Sequence, residues 1–497
     1  MLSNIKSAAR GTIIYGFANV SIKLIGIILI PFYTNYKYLS NDDFGVMGVI
    51  DITYQLVIIV FSLSLYQSLA RWYYDPEHRN SQKSMHFTVI SINAAFCLLS
   101  FLFVWKFSSK ISGLLFHNAD HARVIWIMFA AASVNIVANV SLVLLRLQEK
   151  AIKYSLISMT KLFVTLGLTI LFVVYKHRNV QGVYEAMLIG EITGLIMISG
   201  DIIRNSELKF EVRKLMQMLG YGFPLMLASV STVLLNTFDR YSLNFLSDLQ
   251  AVGNYTLAFK IANAIKIIVI SSIQLSLVPI MFRKIGDPDH KRFYAKSLKY
   301  SVYLVMACVL FLSIFSLEIV KVFAHEKTYW EAANIIPLLS FSMVFVLMKE
   351  NVLIGLQITK SSALMGTLIA FTALFNLGLN ILLIPHYGIY GAAVSTLISQ
   401  IVMFFLFYFV SQRKYPIPYE IKNIVWLILA GIFLYIISLI GNAWHIIPRL
   451  VFKTGLFISF PFLLLLVGFY EPIEIQGIKN FISKYKNFLP GKWRSES

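Results

Sequence analysis

Apolar residues dominate the chain in runs set apart by short polar or basic stretches. The runs are about 20 residues long, the length at which an α-helix crosses the hydrocarbon of a bilayer. Fourteen such runs predict membrane-spanning helices at 11–33, 44–66, 85–106, 122–145, 154–175, 183–203, 219–246, 254–281, 299–324, 333–357, 361–384, 389–410, 421–440 and 448–470. A membrane barrel would instead show strands of about 10 residues alternating apolar and polar. No such pattern recurs here. The predicted fold class is an all-α polytopic membrane protein with about 14 transmembrane helices. The first run, Gly11 to Tyr33, is too long and too polar in its middle for a cleaved signal. No small-residue cleavage site follows it, so it reads as the first span.

The polar punctuation divides the chain. A basic link between runs six and seven, with the sequence RNSELKFEVRK, separates two groups of six spans. The predicted organisation is a six-helix bundle at 1–203, a cytoplasmic link at 204–218, a second six-helix bundle at 219–410, two added spans at 411–470 and a tail at 471–497. The two groups look like repeats. Tyr38-Leu39-Ser40 with Phe44-Gly45 enters the second span, and Phe245-Leu246-Ser247 with Val252-Gly253 enters the eighth. Gly182, Ala186 and Ile189 in span six correspond to Gly391, Ser395 and Ile398 in span twelve. The glycine pairs are offset by 208 and 209 residues, so two separate regions agree on one spacing. Repeated halves are a transporter architecture, with the site at their interface. In the tail, Ile475, Ile478, Ile482, Tyr485 and Leu489 lie opposite Lys479, Lys484 and Lys486. That is the pattern of an amphipathic helix on a membrane surface.

Composition agrees with this reading. Of 497 residues, 58% are hydrophobic and 13% charged, and the mean hydropathy is +0.73. These values are well outside the range of a soluble domain. The formal charge of +19 could point to nucleic acid, but most of the 43 Lys and Arg fall on one side of the predicted spans. That side carries both termini and the segments 67–84, 146–154, 202–218, 282–300 and 411–422. The positive-inside rule makes it cytoplasmic, so the basicity reports topology and no nucleic-acid partner is implied. Cys97 and Cys308 are single residues inside spans and form no redox or metal motif.

The informative charges lie within the spans. On the seventh, Ser229, Thr232, Asn236, Asp239 and Arg240 fall within about 100° of arc. On the eighth, Lys260, Asn263, Lys266, Ser271 and Gln274 fall within about 140° of arc. Span one gathers Thr12, Tyr15, Asn19, Lys23 and Gly26, and span two gathers Asp51, Gln55, Ser62 and Tyr66. Hydrocarbon cannot solvate such stripes, so they must face a bundle interior or a wet cavity. Lys23, Arg240, Lys260 and Lys266 are the candidate binders of an anionic passenger: Arg grips phosphate through paired hydrogen bonds and Lys acts as a compact point charge. Asp51 and Asp239 are candidates for coupling to a proton or sodium gradient, or counter-ions for neighbouring bases. Asp239 and Arg240 could also form a local ion pair, and Lys161, Lys349 and Lys453 are further bases at membrane depth, Lys349 beside Glu350. No His spacing suits a metal, and there is no phosphate loop, dinucleotide motif or nucleophile elbow, so no cofactor is implied.

The segments Ile30-Pro31, Leu39-Ser40-Asn41-Asp42-Asp43-Phe44-Gly45, Leu69-Ala70-Arg71-Trp72-Tyr73, Gly222-Phe223-Pro224, Asp239-Arg240, Val252-Gly253-Asn254-Tyr255, Lys260 and Ile384 to Ala393 form a spread of short signatures. Together they resemble the polysaccharide-transporter branch of the multidrug/oligosaccharidyl-lipid/polysaccharide flippase superfamily, the Wzx-type O-antigen flippases. The resemblance covers most of residues 5 to 410. It implies two six-helix bundles in a V, alternating access, a bacterial inner-membrane location with both termini cytoplasmic, and a passenger oligosaccharide carried on undecaprenyl pyrophosphate. Membrane lipids, a glycan polymerase and assembly proteins would be its partners. The peptidoglycan lipid II flippases look similar through Ser21 to Gly26, but they carry an Arg-Asp pair where this chain has Leu29-Ile30, which argues against that substrate. Two other functions compete. A multidrug or metabolite exporter calls for an acidic cavity, whereas bases outnumber acids here. A membrane glycan polymerase calls for a large external loop or an Asp-rich site, and neither is present.

Overall fold

A helix is the only open-chain element that satisfies its own backbone in hydrocarbon, and the chain forms helices throughout. The structure, a computed structural model, describes residues 28–472 together with 26, 475 and 476. Among the described residues there is no strand, and 12 helices are long and apolar enough to cross a membrane. Only the end of the first predicted run is described, as the short helix α1 (Ile30–Tyr33). Runs eleven and twelve are joined in the 53-residue α14 (Ser362–Lys414), which is folded back on itself. The reversal is at Gly388, whose φ of 53° and ψ of −128° leave the helical region. Just beyond it Gly391 lies on the carbonyl of Leu383, where a Cβ would sit 2.5 Å from the oxygen. These two facts reconcile 12 with the predicted fourteen.

The remaining helices are α2 (Asn41–Ser62), α3 (Leu65–Trp72), α4 (Gln82–Phe116), α5 (Ala122–Leu147), α6 (Ala151–Ile170), α7 (Asn179–Arg204) and α8 (Val212–Leu246). Then come α9 (Leu249–Ala264), which runs through a π-helical turn (Ile265–Ile270) into α10 (Ser271–Arg283), α11 (His290–Ile314), α12 (Ser316–Phe323), α13 (Ala332–Ile358), α15 (Ile421–Ser438) and α16 (Ile446–Leu466). Ser40 and Asp43 form a reciprocal capping box that starts α2. Leu63 and Ser64, both with positive φ, end it and start α3.

Two boundaries differ from expectation. The segment from Lys106 to His121, left between the predicted spans 85–106 and 122–145, is helical as far as Phe116. Ile111, Leu115 and Phe116 keep the 3–4 apolar spacing and pack into the core. α8 begins at Val212 rather than 219, since Leu215 and Met218 are buried beside α3 and α4, and Ser68 Oγ donates to the Met218 carbonyl at 2.8 Å. The basic link is thereby reduced to a few residues. It is pinned down: the Glu211 amide donates to Thr88 Oγ1 at 3.0 Å and the Glu207 amide to the Lys83 carbonyl at 3.3 Å. α15 packs on α11, and α16 is tethered by Glu318 of α12, which meets Arg449 Nε at 2.9 Å and Lys453 Nζ at 3.0 Å. The amphipathic tail predicted after 471 lies almost entirely outside the described residues.

Candidate functional site

The N-termini of α2 and α9, matching positions in the two predicted repeats, lie side by side at one end of the molecule. Their first turns are set by the Ser40–Asp43 box and by Asp248, which accepts from the Ala251 amide at 2.7 Å. The approach is backbone to backbone. A Cβ on Gly45 would lie 2.0 Å from the Leu249 oxygen, and one on Gly253 would lie 2.1 Å from Asn41 Oδ1. Asn41 Nδ2 donates across the joint to Asn254 Oδ1 at 3.2 Å, and the Thr53 and Tyr241 hydroxyls meet at 2.7 Å. Thr34 Oγ1 donates to the Phe323 carbonyl at 2.7 Å and Asn244 Nδ2 to the Leu115 carbonyl at 2.6 Å, both between the halves. This end is closed.

Beneath the closure α2, α8 and α9 diverge around a polar cavity of about 510 Å³. α2 contributes Asp51, Tyr54 and Gln55, α8 contributes Thr232, Asn236 and Arg240, and α9 with its π-helical turn contributes Lys260, Asn263 and Lys266. Exposure rises away from the closed end: Phe44 and Val252 are buried, Asp51 and Lys260 are partly covered, and Gln55 and Thr232 are exposed. The cavity therefore opens toward the other face.

Each charge in it has a definite setting. Asp51 Oδ1 accepts from Tyr184 Oη at 3.0 Å, and its Oδ2 lies 3.8 Å from Lys260 Nζ. The Lys260 ammonium is 5.1 Å from the ring centre of Phe44 and 5.8 Å from that of Tyr33. Both rings are within cation–π range. The Arg240 guanidinium stacks on Phe259 at 4.6 Å, and its buried Nε has no hydrogen-bond partner among the described residues. Lys266 Nζ donates to Asn236 Oδ1 at 3.4 Å. Three bases and one carboxylate leave the cavity with an excess of two positive charges. An anion is the ligand such a field attracts.

Of the residues singled out from the sequence, Arg240, Lys260, Lys266 and Asp51 thus share one cavity. Lys23 lies outside the described residues. Asp239 points elsewhere: it is 1% exposed and accepts from Tyr255 Oη, Thr396 Oγ1 and Asn380 Nδ2, each at 2.7 Å. The anticipated ion pair between Asp239 and Arg240 is not formed. Neighbouring residues on a helix point about 100° apart. One side chain therefore enters the second half while the other faces the cavity. Of the other intramembrane bases, Lys349 pairs with Glu350, Lys453 with Glu318 and Lys161 with Glu191.

The Lys453–Glu318 and Lys161–Glu191 pairs were not foreseen, and the second adjoins the cavity. Glu191, 3% exposed, is 2.6 Å from Lys161 Nζ and accepts from Asn135 Nδ2 at 3.1 Å and from Tyr54 Oη at 3.2 Å, and Tyr54 itself lines the cavity. The signal was present. Lys161 and Glu191 sit at similar depth on consecutive spans, Gly190 lies against Thr165 and the Lys161 carbonyl, and Gly194 makes room for the Lys161 side chain.

Residues 8–284, more than half of the chain, match the family described as polysaccharide biosynthesis protein. An uncharacterised membrane protein of Methanocaldococcus jannaschii is 28% identical over 296 residues, 55% of this chain, and the match spans about half (54%) of that relative's length. Among solved structures the fold is similar to the lipid II flippase MurJ in an inward closed conformation, with a TM-score of 0.69 at 15% identity over 90% of this chain and 98% of that one. An inward-facing multidrug-resistance transporter of the MATE family gives 0.64 at 14% identity over 80% of this chain and 97% of that one. An outward-facing MATE structure gives 0.54 at 15% identity over 81% and 95%. The chain belongs to the polysaccharide biosynthesis protein family and has the helical fold shared by the MurJ and MATE members of the flippase superfamily.

Proposed function

We propose that this protein is a flippase that carries an oligosaccharide linked to polyprenyl pyrophosphate, an O-antigen or capsule repeat unit, from the inner to the outer leaflet. The observation that carries the reading is the convergence of Arg240, Lys260 and Lys266 from the second half, with Asp51 from the first, in one cavity closed at one end. With both termini cytoplasmic, as the distribution of Lys and Arg implies, the closed end is the outer one and the cavity faces the cytoplasm. A pyrophosphate diester carries two negative charges and would balance the excess, while Tyr54, Gln55, Asn236 and Asn263 offer partners to sugar hydroxyls. The polyprenyl tail would stay in lipid. An apolar crevice of about 320 Å³ lined by Ala264, Ile268, Phe311 and Phe457 lies on the same helical segment as Lys266 and suits such a chain. Residues 1–203 and 219–410 would be the two bodies that rock against each other.

Of the two candidate coupling carboxylates, Asp239 is the better placed. Its hydrogen-bond partners, two hydroxyls and an amide, are neutral, whereas Asp51 faces the Lys260 ammonium directly. Export of a multidrug type accounts less well for a cavity with three bases and one acid. In vesicles containing the purified protein and a polyprenyl-pyrophosphate glycan, Arg240→Ala and Lys266→Ala should slow flipping at least tenfold at equal protein content, the scale of one lost charge-assisted contact. Flipping at the wild-type rate by both variants would remove these residues from the site.

A further inference from the structure

Among the described residues, Asp51 is the only carboxylate lining a cavity otherwise walled by bases and neutral polar groups. It is held in place rather than loose. Tyr184, 1% exposed, donates both to Asp51 Oδ1 at 3.0 Å and to the Met47 carbonyl at 3.3 Å. The other oxygen faces Lys260 Nζ at 3.8 Å, well beyond the 2.6 Å of the Lys161–Glu191 pair. The facing charges belong to different halves, and they lie directly beneath the close approach of Gly45, Gly48 and Gly253.

We infer that Asp51 is a resident competitor for the passenger's phosphate: it occupies Lys260 in the empty site, sets the charge an anion must bring to displace it, and links filling of the site to parting of the halves. The inference rests on the flippase reading. An anion with one charge merely exchanges one negative partner of Lys260 for another. A diphosphate brings two, so it can take Lys260 and still meet Arg240 or Lys266, and the exchange becomes favourable. Once Lys260 has turned to the passenger, the contacts beside it that join the halves among the described residues, Asn41 to Asn254 and Thr53 to Tyr241, are neutral, and the closed end opens more readily. A carboxylate that merely positioned Lys260 would act in the opposite sense, because its loss would weaken binding.

The test measures binding of two probes to the full chain in nanodiscs, N-acetylglucosamine on polyprenyl diphosphate and the same sugar on polyprenyl monophosphate. Wild type should prefer the diphosphate. Asp51→Asn should bind both more tightly, by roughly tenfold for the diphosphate and more for the monophosphate, so that discrimination narrows. Asp51→Glu should retain it. In a background lacking Cys97 and Cys308, a cysteine at Asn254 should become more reactive toward an impermeant thiol reagent when the diphosphate binds, and should already be reactive without ligand in Asp51→Asn. Unchanged or weaker diphosphate binding by Asp51→Asn overturns the inference while leaving the flippase reading intact. If instead Lys260→Ala binds both probes like wild type, the site reading itself fails, whatever Asp51 does.

Discussion

The closed end makes the most quantitative demand on the molecule. A Cβ added at Gly45 would lie 2.0 Å from the Leu249 oxygen and 2.9 Å from its carbonyl carbon, far inside the 3.4 Å at which ordinary contact begins. The colliding atoms are backbone, so no side-chain rotation relieves them and α2 must move away from α9. Overpacking of this kind costs about 1–3 kcal/mol, and the cost falls only on the conformation in which these two helices touch. Gly45→Ala should therefore shift the balance toward the opened conformation by about 5- to 150-fold. In a variant lacking Cys97 and Cys308, a cysteine at Gln55 in the cavity reports the change. An impermeant thiol reagent added to the outer face should label it faster when Gly45 is Ala. Gly200→Ala is the control, since nothing lies within 4 Å of a Cβ there and labelling should not change. Equal labelling of Gly45→Ala and the control would mean that this end is not closed by the helix joint, and the proposed direction of the cavity would fall with it.

Three further outcomes follow from the buried charges. Glu318→Ala leaves Arg449 and Lys453 facing each other without their shared carboxylate. The melting temperature should then drop with a loss of about 3–5 kcal/mol, and replacing all three by Leu or Met should restore most of it. Lys161→Met should destabilise the first half on a similar scale by stranding Glu191, while adding Glu191→Gln should recover stability in the same melting assay. At the N-terminal end of α15, burial pushes the Glu420 carboxyl up, but hydrogen bonds from Lys296, Asn423 and Lys299 outweigh it and hold the group at about 2, against an ordinary value of 4.5. A carboxyl lowered on folding stabilises fully above its unfolded value and loses that contribution as pH falls toward the folded one, so thermal stability should fall more steeply between about pH 5 and pH 3 in wild type than in Glu420→Gln.

How much of this was legible in the sequence depends on which force placed each group. The spans were readable because bilayer thickness fixes their length, and the stripes of Arg240, Lys260 and Lys266 because hydrocarbon leaves such residues few places to go. An angular stripe about 100° wide is too coarse to separate Asp239 from Arg240. Their side chains reach different compartments. The extra turns of α4 and α8 were hidden because average hydropathy ignores amphipathic ends, where Leu115 and Met218 carry the helix into partly polar surroundings. The partners of Lys161 and Lys453 required knowing which spans are neighbours, and for Lys453 and Glu318, which are 135 residues apart, nothing local supplies that.

The intramembrane charges fall into two sets, and the division bears on mechanism. Lys161 with Glu191, Lys349 with Glu350, and Lys453 and Arg449 with Glu318 each meet an opposite charge at 3.0 Å or closer. That pairing reduces the cost of burial and leaves nothing for a ligand to gain. The charges facing the joint between the halves are treated differently. Arg240 makes no ion pair among the described residues and rests on an aromatic ring, and Lys260 meets Asp51 only at 3.8 Å. A membrane protein selected for stability alone would have closed these gaps as it closed the others. On the proposed flippase reading, charges left under-compensated along this joint would be groups whose partner comes and goes, and an anionic head group entering from one face and leaving by the other would be such a partner.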